Sequence, residues 1–141
     1  MRAILSLGSN VEPRAEFLAK ARKALESFPS TRLTAASEVI ETEPVDVPME
    51  FAHLKFLNQV VIVETELEVH EFSRRMHAIE DDLGRVRTVR NGPRTIDVDL
   101  IDFGGMRLCE KDLTLPHPRA SERDFVLIPL ISLGLFPSDI F

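Results

Sequence analysis

Residues 92–101 read GPRTIDVDLI and carry the most informative pattern in the chain. Apolar residues alternate here with two aspartates, a pattern that predicts a half-buried β-strand. Because side chains alternate between the two faces of a strand, we expect Asp97 and Asp99 to share one face, about 7 Å apart. The apolar residues at 96, 98 and 100 should then face a core. The stretch therefore predicts a strand that carries a pair of carboxylates.

An arginine-rich segment leads into this strand. It contains no acidic residue from position 83 to 96. Its four arginines are Arg85, Arg87, Arg90 and Arg94. Guanidinium groups bind phosphate oxygens, and paired carboxylates can hold a hard divalent cation, so the combination is typical of phosphoryl transfer. Two aspartates on a solvated strand face would need no function, but like charges on one face repel each other, which favours the functional interpretation.

Composition limits the classes of protein that fit. A chain of 141 residues is long enough for one domain, residues 1–141, with a substantial core. The net charge of −6 argues against broad binding to nucleic acids or anionic membranes. A single cysteine, Cys109, predicts no internal disulfide and fits a reducing, cytoplasmic location. The longest apolar run, residues 125–136, is too short to span a membrane, and we find no signal peptide pattern at the N-terminus.

The remaining periodicity predicts the element order β-α-β-β-α-β with a C-terminal extension. This order indicates an α+β, ferredoxin-like βαββαβ fold: an antiparallel sheet with two helices on one face. The extension should add a hairpin and a helix. The predicted strands are 3–7, 32–42, 57–66 and the Asp97 strand. A hairpin turn at 104–105 should lead into a further strand at 106–109. The predicted helices are 13–28, 69–83 and 124–133.

The second predicted helix ends with three acids at 80–82, where the helix dipole disfavours negative charge. Arg85 and Arg87 could simply compensate these acids. Alternatively, Glu80 could orient an arginine of the segment that follows. The sequence leaves both interpretations open.

Five separated segments, spanning residues 3 to about 137, together resemble the 6-hydroxymethyl-7,8-dihydropterin pyrophosphokinases of folate biosynthesis. They are LGSN at 7–10, FLN at 56–58, the segment 80–94 with LGRVR, GPRTIDVDL at 92–100, and LPHP at 115–118 together with RDFVL at 123–127. The resemblance implies transfer of pyrophosphate from ATP to the hydroxymethyl group of a reduced pterin, with release of AMP. It also implies that ATP and the pterin are the partners, without nucleic acid or membrane.

The resemblance assigns roles to individual residues. Asp97 and Asp99 would hold two Mg²⁺ ions that bridge the triphosphate. The catalytic arginines would be Arg85 and Arg94. The other ATP contacts would be Arg87, Arg90, Thr114, His117 and Arg123. The pterin contacts would be Thr42, Val45, Phe56, Asn58 and Phe125, with the two rings enclosing the flat heterocycle and the amide reading its edge.

Two positions depart from the family pattern, and several alternatives stay open. Asn91 stands where many members carry an aromatic residue, and Asp112 stands where some carry an arginine. Without the resemblance, Phe56 and Phe125 would be read as ordinary core residues. Rival functions are a nucleic-acid-binding module on a ferredoxin-like sheet and another two-metal nucleotidyl transferase. The domain could also work beside other enzymes of folate biosynthesis.

Overall fold

The computed structural model describes residues 1–44, 49–51, 53–84 and 95–141. Its strands are β1 (Arg2–Ser9), β2 (Thr31–Ala36), β3 (Ile40–Thr42), β4 (Phe56–Thr65), β5 (Asp97–Phe103), β6 (Leu108–Cys109) and β7 (Thr114–Leu115). Its helices are α1 (Arg14–Glu26), α2 (Val69–Asp82) and α3 (Asp124–Ser132). Short 3₁₀ turns occur at Met49–Phe51, Ala120–Glu122 and Pro137–Asp139.

The main sheet is antiparallel, with the strand order β2-β4-β1-β5, and β3 also pairs with β4. This confirms the predicted α+β, ferredoxin-like arrangement. Alternate residues of β1 face two different cores, because Leu5 packs with α1 and α2 whereas Ile4 packs with α3. Helices α1 and α2 therefore cover one face, as predicted, and α3 covers part of the other face.

The predicted strand at 32–42 is divided in two, β2 and β3. The cause is Ser37, whose hydroxyl accepts the backbone N–H of Val60 at 3.0 Å while its own N–H donates to the Val60 carbonyl. A side chain thus replaces one bond of the β ladder, and regular pairing resumes only at Ile40, opposite Asn58. The prediction of one continuous strand was wrong because this long-range bond has no local signal.

The helices follow their predicted apolar stripes. Leu18, Ala21 and Leu25 of α1 are fully buried, and so is Phe72 of α2. Helix α2 ends at Asp82, and Gly84, two residues further on, has a φ of +86°, the left-handed conformation that glycine adopts without strain. This confirms the predicted C-terminal cap. None of the helices in the described ranges is long and apolar enough to cross a membrane.

The predicted turn at 104–105 forms, but the prediction that the strand after it pairs with the Asp97 strand was wrong. Strand β6 pairs with β7 in a small separate sheet rather than folding back on β5. The backbone of His117 instead donates to the Ile101 carbonyl of β5 at 2.9 Å. The proline-rich loop therefore lies against β5 where a returning strand would have paired, and this brings His117 close to Asp99.

Candidate functional site

The two aspartates leave one face of β5, as the alternation predicted. The register places Asp97 opposite Gly8 and Asp99 opposite Ser6 of the central strand β1. Both carboxylates are half-buried, whereas Val98 between them is buried in the core beneath α1 and α2. The pair therefore stands on the sheet face opposite these two helices.

Gly8 is the centre of the site. It pairs with Asn58 of β4 on one side and with Asp97 of β5 on the other, so the three residues form one row across three strands. A Cβ atom at Gly8 would lie 2.9 Å from Asn58 Oδ1 and 3.5 Å from Phe56 Cδ1. Only glycine at position 8 lets the Asn58 amide lie over β1, because a Cβ atom there would occupy the space of the amide oxygen.

Asn58 is held from the other side by β3. Its side chain is only 3% exposed, and Nδ2 donates a hydrogen bond to the Thr42 hydroxyl at 2.5 Å. Thr42 lies directly opposite Phe56 in the β3–β4 pairing. The structure thus brings together Thr42, Phe56 and Asn58, three of the residues that the sequence assigned to pterin binding.

A cleft of about 270 Å³ opens beside Asp99, between α2, β5 and the loop around β7. Its apolar lining includes Met76 and Leu113, and its polar lining includes Thr114 and His117. Two residues assigned to ATP binding therefore share a cleft with one of the aspartates. Asp112, the departure from the family pattern, also lines this cleft.

His117 is fixed by its backbone and by its ring. Nδ1 accepts the backbone N–H of Arg119 at 3.2 Å, so the neutral ring carries its proton on Nε2. Burial lowers the pKa of His117 below its ordinary value of 6.5. The charge of Asp99 opposes this effect on the pKa, and the charges of Arg123 and Arg119 reinforce it. At neutral pH the ring is therefore an uncharged hydrogen-bond donor.

Arg123 and Phe125 are in contact with each other at the start of α3. The guanidinium carbon lies 5.5 Å from the centre of the Phe125 ring, a cation–π arrangement. Phe125 is only partly buried against the α3 core, and Phe56 is also partly buried. Both rings keep accessible surface, so simple core packing does not account for them.

Several assigned residues lie outside the described ranges. They are Val45, Arg85, Arg87, Arg90 and Arg94, together with Asn91. Their roles stay predictions from the sequence.

Sequence reasoning missed the steric role of Gly8 and the part of α2 in the cleft. A glycine inside a strand pattern signals close approach of another group and could have indicated the first. Met76 and His77 line the cleft only because α2 crosses β5, and no local pattern in the sequence predicts that crossing.

The fold and this site define a class: an α+β domain with an antiparallel sheet whose paired carboxylates stand between an amide-lined surface and a cleft. A family model described as 7,8-dihydro-6-hydroxymethylpterin-pyrophosphokinase (HPPK) matches residues 4–134. The chain belongs to this family.

Two bacterial relatives share its sequence over most of its length. It is 40% identical over 134 residues to the 2-amino-4-hydroxy-6-hydroxymethyldihydropteridine pyrophosphokinase of Methylorubrum extorquens, covering 94% of this chain and 82% of the relative. It is 37% identical over 131 residues to the Bacillus subtilis protein of the same name, covering 93% of this chain and 77% of the relative.

Longer proteins contain a matching region. The folic acid synthesis protein FOL1 of Dictyostelium discoideum is 36% identical over 130 residues, which cover 92% of this chain but 19% of that protein. Among solved structures, the HPPK-DHPS of Plasmodium falciparum, crystallised with pterin and p-hydrobenzoate, superposes with a TM-score of 0.67 at 15% identity. That match covers 93% of this chain and 40% of the longer one, and it supports the fold alone.

Proposed function

We propose that this chain transfers pyrophosphate from ATP to the hydroxymethyl group of 6-hydroxymethyl-7,8-dihydropterin, a step of folate biosynthesis. Family membership and the names of the bacterial relatives support this activity. The observation that carries it is the row formed by Asn58, Gly8 and Asp97. This row puts an amide that can read a heterocycle and a carboxylate that can serve phosphoryl transfer on one sheet face.

The pterin would lie on the surface formed by β3, β4 and the start of α3. Asn58 can donate and accept hydrogen bonds along one edge of the heterocycle, and Thr42 holds its amide in place. The partly exposed rings of Phe56 and Phe125 can stack on the flat faces of the heterocycle. Val45 would contribute backbone contacts on the same edge.

ATP would occupy the cleft beside Asp99. The apolar lining at Met76 and Leu113 suits a nucleobase, and Thr114 and His117 supply polar groups. A neutral His117 can donate a hydrogen bond without adding charge. Arg123 would contact the phosphates, as would Arg87 and Arg90 from the arginine-rich segment.

Magnesium fits the donor set. Among the described residues, no cluster of three or more histidine, cysteine, aspartate or glutamate side chains converges on one point. Two carboxylates on one strand face are instead what Mg²⁺ uses when substrate phosphates and water complete its octahedron. Asp97 and Asp99 would hold two such ions, which, when bound, neutralise charge on the phosphates.

The chain itself would act by positioning and electrostatics. The bond that forms joins the hydroxymethyl oxygen to the β-phosphorus, and the bond that breaks joins that phosphorus to the oxygen of the departing AMP. The hydroxyl proton is released. Arg85 and Arg94 would stabilise negative charge on the transferring group. No covalent nucleophile is required, because the two substrates react directly when aligned.

Analysis of the nucleotide product tests this proposal. The purified protein is mixed with ATP, Mg²⁺ and the reduced hydroxymethylpterin, and nucleotides are separated by chromatography. We expect AMP in equal amount to a pterin diphosphate, and neither product with Asp97→Asn. ADP in place of AMP would mean transfer of a single phosphoryl group and would overturn the proposal.

We further propose that the enzyme works in the cytoplasm on these small substrates, alongside other enzymes of folate biosynthesis. The association with neighbouring enzymes is supported by relatives named as bifunctional, such as the folate synthesis bifunctional protein of Pisum sativum. Co-purification of the chain with such an enzyme from its native cells would test this association. Purification of the chain without any such enzyme would argue against it.

A further inference from the structure

We propose that Glu80 is a positioning residue that fixes the segment of β5 carrying Asp97 and Asp99. This inference rests on the proposed function, since it concerns where the carboxylates stand for the reaction. The sequence left open whether Arg85 and Arg87 compensate the acids of this helix end or Glu80 orients an arginine, and both alternatives stay open because these arginines lie outside the described ranges. The described contacts of Glu80 lead to β5 and to the cleft.

Glu80 lies in the last turn of α2, yet it is only 4% exposed. Its Oε2 accepts the backbone N–H of Val98 at 3.2 Å. Its Oε1 lies 3.3 Å from Nδ1 of His77, whose side chain lines the cleft beside Asp99. One buried carboxylate therefore joins the backbone between the two aspartates to a wall of the cleft.

The position of β5 explains why such a contact matters. β5 is the last strand of the main sheet, and in the described part of the chain no further strand pairs with its outer edge. Its outward N–H groups therefore have no ladder partner of the ordinary kind. Glu80 supplies one at Val98, directly between the two aspartates. The backbone there is thus bound on both sides, by β1 and by the carboxylate.

A buried glutamate at position 80 lowers the stability of the fold unless its carboxylate has such a role. A buried carboxylate at the C-terminal end of a helix is opposed by the helix dipole and by burial. Its described hydrogen bonds offset these costs, and charge-assisted bonds are stronger than neutral ones.

Two conservative variants separate the effect of the length of the Glu80 side chain from the effect of its charge. Glu80→Gln keeps an oxygen at the distance of Val98 N and removes the charge. Glu80→Asp keeps the charge but is one methylene too short to reach. Asp82→Ala, at an exposed acid of the same helix end, is the matched control for the loss of charge at the helix terminus.

Three measurements are made on the full chain: kcat and KM for AMP formation, the Mg²⁺ concentration that gives half the maximal rate, and hydrogen exchange of the Val98 amide by NMR. We expect Glu80→Asp to lower kcat about 10- to 100-fold, the range expected for a misplaced site, and to raise the Mg²⁺ requirement. Its Val98 amide should exchange about tenfold faster. Glu80→Gln should stay within about threefold of the original kcat, and Asp82→Ala should match the unaltered chain.

The opposite ranking, with Glu80→Asp active and Glu80→Gln impaired, would show that charge matters and that positioning does not. Original values of kcat and Mg²⁺ requirement in both variants would leave Glu80 with a purely structural role. A second readout does not need turnover and so separates this test from the proposed function. Mn²⁺ is added with a non-hydrolysable ATP analogue, and the broadening of the NMR signals of the Asp97 and Asp99 amides is measured. The broadening should be weaker in Glu80→Asp than in the unaltered chain. If the unaltered chain makes no AMP, the proposed function fails while this comparison still reports on Glu80.

Discussion

Replacing Gly8 with alanine should weaken pterin binding while leaving the fold and ATP binding intact. The new Cβ would stand 2.9 Å from Asn58 Oδ1, well inside the distance of roughly 3.5 Å at which non-bonded heavy atoms pack. Asn58 is buried and hydrogen-bonded to Thr42, so its amide cannot move away without weakening that bond. The perturbation therefore displaces the group that we propose reads the pterin edge.

The expected loss of pterin affinity follows from the hydrogen bonds that the substitution weakens. A lost internal hydrogen bond costs about 1 kcal/mol, and a buried amide left without good partners costs about 1–3 kcal/mol. This range corresponds to pterin binding weakened roughly 5- to 150-fold. Stability should also fall, because the Thr42 bond is weakened in the free protein, but alanine restricts the unfolded chain more than glycine does and offsets about 0.4–1 kcal/mol of that loss.

Isothermal titration calorimetry measures the effect. The dissociation constant of the pterin is determined in the presence of a non-hydrolysable ATP analogue, and that of the analogue alone is determined separately. Asn58→Ala and the double variant complete a cycle that isolates the interaction of the two positions. If Gly8→Ala acts through the amide, it should add almost nothing once Asn58 is alanine. Additive losses, or a loss of ATP affinity with pterin affinity preserved, would refute this reasoning.

Three further predictions can be measured on the same protein. Asp97→Ala and Asp99→Ala should each abolish AMP formation with little change in thermal unfolding, since half-buried carboxylates add little packing; activity in either variant would remove the two-metal proposal. Arg94→Ala should lower kcat by about 10³-fold or more with a small change in ATP affinity. A variant that loses ATP affinity but keeps kcat would show that Arg94 binds ATP equally strongly in the ground state and the transition state. Because burial lowers the pKa of His117, the unfolded chain takes up its proton first as pH falls below 6.5, so stability should fall there. Urea unfolding should show a smaller fall in His117→Gln, and an equal fall in both proteins would contradict the assignment.

The sequence predicted those parts of the site that depend on local periodicity. The shared face of Asp97 and Asp99 and the burial of Val98 follow from alternation along a single strand, and the structure confirms both. The stripe of α1 at Leu18 and Leu25 is buried for the same reason. Patterns of this kind need no knowledge of what the segment packs against.

The parts that sequence reasoning missed depend on contacts between distant segments. Ser37 interrupts a strand by bonding Val60, and Glu80 binds Val98 across the edge of the sheet. Each of these bonds is made by a single polar side chain whose partner is set only when the sheet assembles. The cleft beside Asp99 likewise exists only where α2 and the loop of His117 meet β5.

With the pterin on Asn58 and the metal on Asp97, as proposed, the row of Asn58, Gly8 and Asp97 would set the distance between the two substrates. Hydrogen-bonded strands stand about 4.8 Å apart, so the backbone positions of the amide and of the carboxylate are separated by roughly 10 Å. This length is set by the spacing of the sheet and not by any side chain, so no single substitution can shorten or extend it. An alcohol on a one-carbon arm would reach the phosphorus, whereas a displacement of about 1 Å can cost roughly 100-fold in rate. A pterin analogue with a hydroxyethyl arm should accordingly bind with similar affinity and turn over slowly, and equal turnover of both alcohols would show that the sheet spacing does not select the substrate.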